Sequence, residues 1–369
     1  MKVWRKAWVL GIGLALTATA RADGLSERAA QVKAQLQTTW LPDLAKRSPA
    51  NERASNAADL VLTLSRAHRL GYSTPSLNLL EAARVHYRLL RDSRRDAKNG
   101  GFFEESGKNA TLKDTALQGR VVLALVEYAR ASRESEPRAL AVRTWQLVRD
   151  RAGDEIKGGY YDAFLTGPLK PTQASGRGGK RGDAHLLLLQ ATTALAQFTR
   201  DQSIKRDLGE LLDLCEGRFF PTPPETGYDA FNPDWTPFLY PPGGPFSLTP
   251  YPNEMRPRRS DPSLNLSAAF AIVQGRRFLG QAPGWVDFAR RTTIFKSKNS
   301  FSSDVDDVSG LPSLALLTQV LTANRDTQLR RIDNVLAQLD KPKQQAAFLA
   351  QSDGTPLLDF VALAVPATP

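Results

Sequence analysis

Gly100-Gly101-Phe102-Phe103-Glu104 closes one amphipathic run of this chain, and Gly158-Gly159-Tyr160-Tyr161-Asp162 closes another. A looser third copy, Thr226-Gly227-Tyr228-Asp229-Ala230-Phe231, follows a further run of the same kind. Each copy is trailed by a polar stretch and, in the first two, by a new helix-like run. A repeating unit of roughly 50–60 residues, helix then turn then helix, is the signature of a stacked helical array. The reading that decides the fold is therefore all-α, a toroid of helical hairpins.

Working outward, apolar spacing of three to four residues dominates and strand-like alternation is nearly absent. The spacing predicts helices near 25–44, 52–70, 76–91, 113–132, 137–152, 183–199 and 205–219. After a long break come 262–279, 285–295, 311–321, 327–339 and a short one near 343–350. Within 113–132, Leu117, Val121, Leu125 and Tyr128 form one stripe that Val122, Ala124 and Val126 thicken, as an inner-ring helix requires. Gly71 and Gly280 fall where left-handed caps would end helices. Gly167–Gly182 reads as a basic, glycine-rich loop. Pro221–Pro257, dense in proline and aromatics, reads as an ordered lid.

Lys2, Arg5 and Lys6, the apolar stretch Ala7–Ala18 and the small-x-small Ala20-Arg21-Ala22 predict a secretory leader over 1–22. One domain over 23–351 and a C-terminal tail over 352–369 would follow. The expected location is exported, periplasmic or secreted, and no later stretch is apolar enough to span a membrane. The chain has 49 basic and 38 acidic side chains, and losing Lys2, Arg5, Lys6 and Arg21 with the leader would leave 45 against 38. The basic residues are interspersed with acids, which gives no nucleic-acid module. The single cysteine, Cys215, excludes an internal disulfide and falls on an apolar helical stripe.

The chain resembles the N-acylglucosamine 2-epimerase superfamily. The matching stretches are the two glycine–aromatic motifs, Leu112-Lys113-Asp114, Asp183-Ala184-His185-Leu186-Leu187 and Asp234-Trp235-Thr236-Pro237. The resemblance implies an (α/α)6 barrel and action on sugars, as epimerase or aldose–ketose isomerase. The chain also departs from that pattern. Where the family's Gly-His-x-x-Glu helix start falls, this chain has Pro262 for the histidine and Asn265 for the glutamate, and no histidine follows His185. Proline and asparagine carry no proton, so the resemblance implies lost or altered acid–base chemistry.

His185, opening an apolar helix, is the candidate proton carrier or substrate contact, with helix capping or packing as its alternative. Glu254 is the candidate to replace the missing histidines. Asp114, Arg120, Asp162, Trp235 and Arg256 are candidate substrate-binding residues. Asp114 reads equally as a helix cap, and Arg120 as half of a buried ion pair with an acid such as Glu104 or Asp162. Trp235, Tyr240 and Tyr251 suit stacking on sugar rings or clamping their own loop. Glu104, Glu105, Asp162, Asp229 and Asp234 are loop acids that a toroid gathers at one end. His68 and His86 read as packing or surface residues, and the three histidines lack metal-ligand spacing. No nucleotide, flavin or haem motif is present, so no cofactor is expected, and the partner is a small sugar or glycan. The functional reading is an exported carbohydrate-acting or carbohydrate-binding protein. Its alternatives are a non-catalytic glycan-binding or envelope scaffold protein and a glycan hydrolase or lyase using paired carboxylates.

Overall fold

The computed structural model describes residues 25–105, 112–165, 178–221, 227–240, 256–257, 262–281, 355–364 and positions 330, 332, 333 and 336. Helix α1 covers 25–45 with a π-helical middle, Leu36–Trp40. Then come α2 (Ala54–Arg69), α3 (Leu79–Leu89), α4 (Thr115–Ser132), α5 (Ser135–Ala152), α6 (Gly182–Thr199), α7 (Gln202–Leu214), α8 (Pro262–Phe278) and α9 (Thr355–Ala364). Helices α3 and α7 run on into π-helical turns, Leu90–Arg94 and Cys215–Phe219, and Cys215 is buried in the second.

The helices form two layers. Helices α2, α4, α6 and α8 stand side by side in chain order as an inner row, while α3, α5 and α7 each return along the outside of the helix before them. Burial follows from that order. Helix α4 buries Leu117, Val121, Val122, Leu125 and Tyr128, and α6 buries Leu186, Leu188, Leu189 and Leu195. The chain's end comes back to its start: α9 packs on α2, with Arg66 Nη1 2.9 Å from Asp359 Oδ2. Arg28 Nη2 likewise donates to Asp333 Oδ2 at 2.6 Å. The tail expected over 352–369 thus includes a closing helix, which buries Leu357, Leu358, Phe360 and Val361.

Three short antiparallel ribbons depart from the all-helical expectation. Strand β1 (Leu112–Asp114) pairs with β2 (Ala163–Leu165), β3 (Lys180–Arg181) with β4 (Ala230–Phe231), and β5 (Leu239–Tyr240) with β6 (Arg256–Pro257). Runs of two or three residues are too short for alternation to register in a sequence. Lys113 and Asp114, expected to open a helix, are strand residues that lead into α4.

The glycine pairs are needed where they stand. Gly100, Gly101, Gly158 and Gly159 have φ of +75°, +72°, +76° and +79°. A Cβ on Gly159 would lie 2.8 Å from the Trp235 ring, and one on Gly101 2.9 Å from Leu147 Cδ2.

At the other end of the inner row, α4 and α6 stop at Arg133 and Arg200, whose φ values are +61° and +58°. Gly71 and Gly280 follow α2 and α8 in the same left-handed region. Arg133→Gly and Arg200→Gly are each expected to stabilise the protein by about 0.5–1 kcal/mol by relieving the Cβ clash, measured as a rise in urea midpoint. A fall in midpoint would mean that the arginine's attraction to the helix C-terminus outweighs the strain.

Candidate functional site

The repeated loops cross the N-terminal ends of the inner helices. In each, the carbonyl of the motif acid accepts the first amide of an inner helix. Glu104 O accepts from Ala54 at 2.9 Å, Asp162 O from Thr115 at 2.9 Å and Asp229 O from Gly182 at 2.8 Å. These otherwise orphaned donors are thereby satisfied. The loops, acids and helix N-termini together form one mouth.

Beneath each of the first two loops sits a buried ion pair. Lys113 Nζ lies 2.8 Å from Asp96 Oδ2, and Lys180 Nζ lies 2.8 Å from Asp154 Oδ2, with the lysines 1% and 0% exposed. Both aspartates also brace the glycine turn. Asp96 Oδ1 accepts from the Lys98 and Asn99 amides, and Asp154 Oδ1 from those of Ile156 and Lys157. Burial opposes ionisation of Asp96, but bonds from Lys113 and Asn99 outweigh it and hold its carboxyl at about 2. Asp154 is lowered by the same balance, with Lys180 as its strongest donor. Lys180 further donates to Gly158 O at 2.7 Å and Pro233 O at 2.9 Å, which ties two loops to one side chain.

His185 belongs to this framework. It is fully buried, and its Nε2 accepts the Tyr160 amide at 3.0 Å, so that nitrogen carries no proton. Nδ1 therefore holds the hydrogen and donates to Arg181 O at 2.7 Å. Burial pushes its pKa down to about 4. Both nitrogens of a neutral ring are occupied. Gln118 makes the same two bonds one repeat earlier: Oε1 accepts from Phe102 N at 2.8 Å, and Nε2 donates to Asp114 O at 3.1 Å. The residues correspond at a shift of 67, Lys113 to Lys180 and Gln118 to His185, in step with the ribbon register.

Among the other candidates, Asp114 caps α4 by accepting the Leu117 amide at 2.8 Å. Asp162 is 7% exposed, and its own amide donates to Gly179 O. Arg181 bonds Asp183 Oδ1 at 3.0 Å, with Asp114 and Asp162 within electrostatic reach. Burial disfavours the Arg181 charge, but those acids outweigh it and raise its pKa. Arg120 pairs with Asp59 at 2.6 Å rather than with Glu104 or Asp162, because Asp59 occupies the facing height of the neighbouring helix α2. Glu104 instead holds Arg53 at 2.9 Å and Ser55.

Trp235 clamps its own loop. It has φ +68°, donates Nε1 to Lys157 O at 2.8 Å and covers Lys180 Nζ at 4.3 Å from the ring centroid. Its ring also packs among His185, Phe219 and Phe231. The backbone of Arg256 lies in β6 opposite Tyr240, while Glu254 and Tyr251 lie outside the described residues. The structure thus gathers His185, Asp114, Asp162 and Trp235 at the mouth. Sequence reasoning missed the Asp96–Lys113 and Asp154–Lys180 struts, Asp59 and Gln118; aligning the chain with itself would have found the lysines and Gln118.

The remaining histidines lie elsewhere. His86 is buried on α3 with Nδ1 2.7 Å from Glu52 Oε2. His68, in the last turn of α2, contacts Ser73 Oγ at 2.8 Å, at the end away from the mouth. No group of three or more His, Cys, Asp or Glu able to hold a metal occurs among the described residues.

Solved structures share this architecture. Cellobiose 2-epimerase from Spirochaeta thermophila superposes with a TM-score of 0.68 at 19% identity over 85% of each chain. D-mannose isomerase superposes at 0.59 with 12% identity, over 76% of this chain and 74% of that one. A family 76 glycoside hydrolase (mannosidase) from Bacteroides thetaiotaomicron gives 0.58 with 11% identity, over 92% and 98%. The helical double ring is therefore an (α/α)6 toroid. No protein of curated function matches the chain by sequence. The sequence model of the N-acylglucosamine 2-epimerase (GlcNAc 2-epimerase) family matches residues 39–305, more than two thirds of the length, and its span holds both glycine–aromatic turns, both buried lysines and His185. With fold and sequence in agreement, this chain belongs to the N-acylglucosamine 2-epimerase family.

Proposed function

We propose that this protein binds carbohydrate at the mouth of its toroid and does not epimerise sugars by histidine proton transfer. Exchange at C2 needs a base that takes the proton and an acid that returns one, each titrating near neutrality. The observation that carries this reading is the state of the three histidines. His185 is neutral with both nitrogens bonded, His86 is buried against Glu52, and His68 lies at the far end of α2. Pro262 opens α8 where the family resemblance places a histidine, and it titrates no proton. Family membership and the likeness to a cellobiose 2-epimerase and a mannose isomerase support a sugar as the ligand.

His185 is then a positioning residue, and the half-exposed groups of the mouth, Arg181, Asp183 and Glu104 with Arg53, meet sugar hydroxyls. The leader-like residues 1–22 support export as the setting. The test incubates the protein in D2O with glucose, mannose, cellobiose and N-acetylmannosamine and follows the C2 proton by NMR. The expected result is saturable line broadening of a sugar without enzyme-dependent loss of the C2 signal. Exchange at C2 that Glu254→Gln abolishes would instead make Glu254 the substitute base and overturn the non-catalytic reading.

A further inference from the structure

The motif holds a second aromatic, seated on the framework and partly exposed: the Tyr161 hydroxyl bonds Asp154, and Tyr228 packs against the core. In register with the capping carbonyls, Phe103, Tyr161 and Tyr228 each stand one residue before the acid that caps an inner helix. The residue before each is buried (Phe102, Tyr160 and Gly227), while Phe103, Tyr161 and Tyr228 are all half-buried. Successive side chains of an extended segment point to opposite sides, so in the first two copies one aromatic anchors the loop and the next turns the other way, as Tyr228 does after the buried Gly227. Two of these rings are fixed from below by the buried lysines: Phe103 lies 4.9 Å from Lys113 Nζ and Tyr161 5.8 Å from Lys180 Nζ. Tyr228 is held edge-on by Phe231, with centroids 5.8 Å apart.

We propose that Phe103, Tyr161 and Tyr228 form a rim of sugar-stacking platforms around the mouth, which selects an oligosaccharide over a monosaccharide. This rests on the carbohydrate reading above and adds chain length to it. An aromatic face packs against the apolar face of a pyranose, and a ring already held by a cation or a neighbouring ring loses little rotamer freedom on binding. Neighbouring inner helices lie about 8–10 Å apart, so successive platforms are too widely spaced for one pyranose to cover two. The pairs Arg53–Glu104 and Arg181–Asp183 lie at the N-termini of α2 and α6, where the Phe103 and Tyr228 loops cross, and offer donors and acceptors to the hydroxyls of a bound sugar.

The test measures affinity by calorimetry for two ladders, glucose to cellohexaose and mannose to α-1,6-mannohexaose, with wild type, Phe103→Ala, Tyr161→Ala and Tyr228→Ala. The rim predicts affinity that rises at least tenfold from monosaccharide to hexasaccharide in one ladder. It also predicts a loss of fivefold or more for the hexasaccharide in each variant, with monosaccharide affinity changed less than twofold. Circular dichroism and urea midpoints establish that the variants fold, and Tyr161→Phe, which keeps the ring, is expected to bind as wild type does. Equal affinity along both ladders would overturn the rim and leave carbohydrate binding intact. Length dependence that the three alanine variants do not alter would also overturn it. Binding to neither ladder would overturn both readings for these glycans.

Discussion

Lys180→Ala is expected to destabilise the protein by about 3–5 kcal/mol, since it leaves the Asp154 carboxylate buried without its cation. The lysine is fully buried, and the same ammonium holds Gly158 O and Pro233 O, so its loss frees two loops at once. Trp235 would lose the cation beneath its ring as well. A large fall in urea midpoint measures the effect. The double variant Asp154→Asn with Lys180→Met removes both charges, and Asn can still cap the Ile156 and Lys157 amides. It is expected to recover at least half of the loss. A Lys180→Ala protein as stable as wild type would mean that the loops are held by their backbone bonds alone.

His185 gives the second large effect. His185→Ala removes the acceptor of the buried Tyr160 amide and opens a gap beside Phe219, 4.4 Å away between ring centroids. An unsatisfied buried donor together with a cavity costs about 2–4 kcal/mol. His185→Gln is expected to cost less than about 1 kcal/mol, because Gln118 already makes both bonds at the equivalent position.

The two side chains differ in acid. His185 titrates near 4 in the folded protein, below its ordinary value near 6.5, so folding favours the neutral ring. Its contribution is complete above about pH 6.5 and is lost as pH falls towards 4, to a total of about 3 kcal/mol. The glutamine variant has no such loss. Urea unfolding at pH 7.5 and pH 4.5 is therefore expected to show wild type falling relative to His185→Gln. Parallel curves would mean that the ring is no more buried in the folded chain than in the unfolded one.

The all-α architecture was legible because helical spacing and a motif repeated three times are both dense signals. Helices α4, α5 and α6 lie within a few residues of where their apolar stripes put them, and Cys215 is buried as its stripe implied. The ribbons were not legible, since two or three paired residues leave no periodic trace. The C-terminal stretch read as a tail because Thr355–Ala364 is a single short apolar run. Its partner, α2, lies nearly the whole chain away, and ring closure is a long-range fact.

Charge pairing was harder still. Arg120 was recognisable as a charge needing a partner, yet Asp59 supplies it from a helix some sixty residues earlier. His185 drew attention for its rarity and its helix-opening place, which suit a strut and a proton carrier alike. What separates them is the Tyr160 amide, and only three-dimensional structure brings that donor to Nε2.

The most direct test of a histidine-independent mouth is long-range proton–nitrogen correlation on protein labelled with nitrogen-15 at its three histidines, recorded from pH 8 to pH 6. The expected result for His185 is a neutral ring protonated at Nδ1, with shifts unchanged across the range and on adding sugar. A ring protonated at Nε2, or one that titrates between pH 6 and 7, would contradict the account and return His185 to the role of proton carrier.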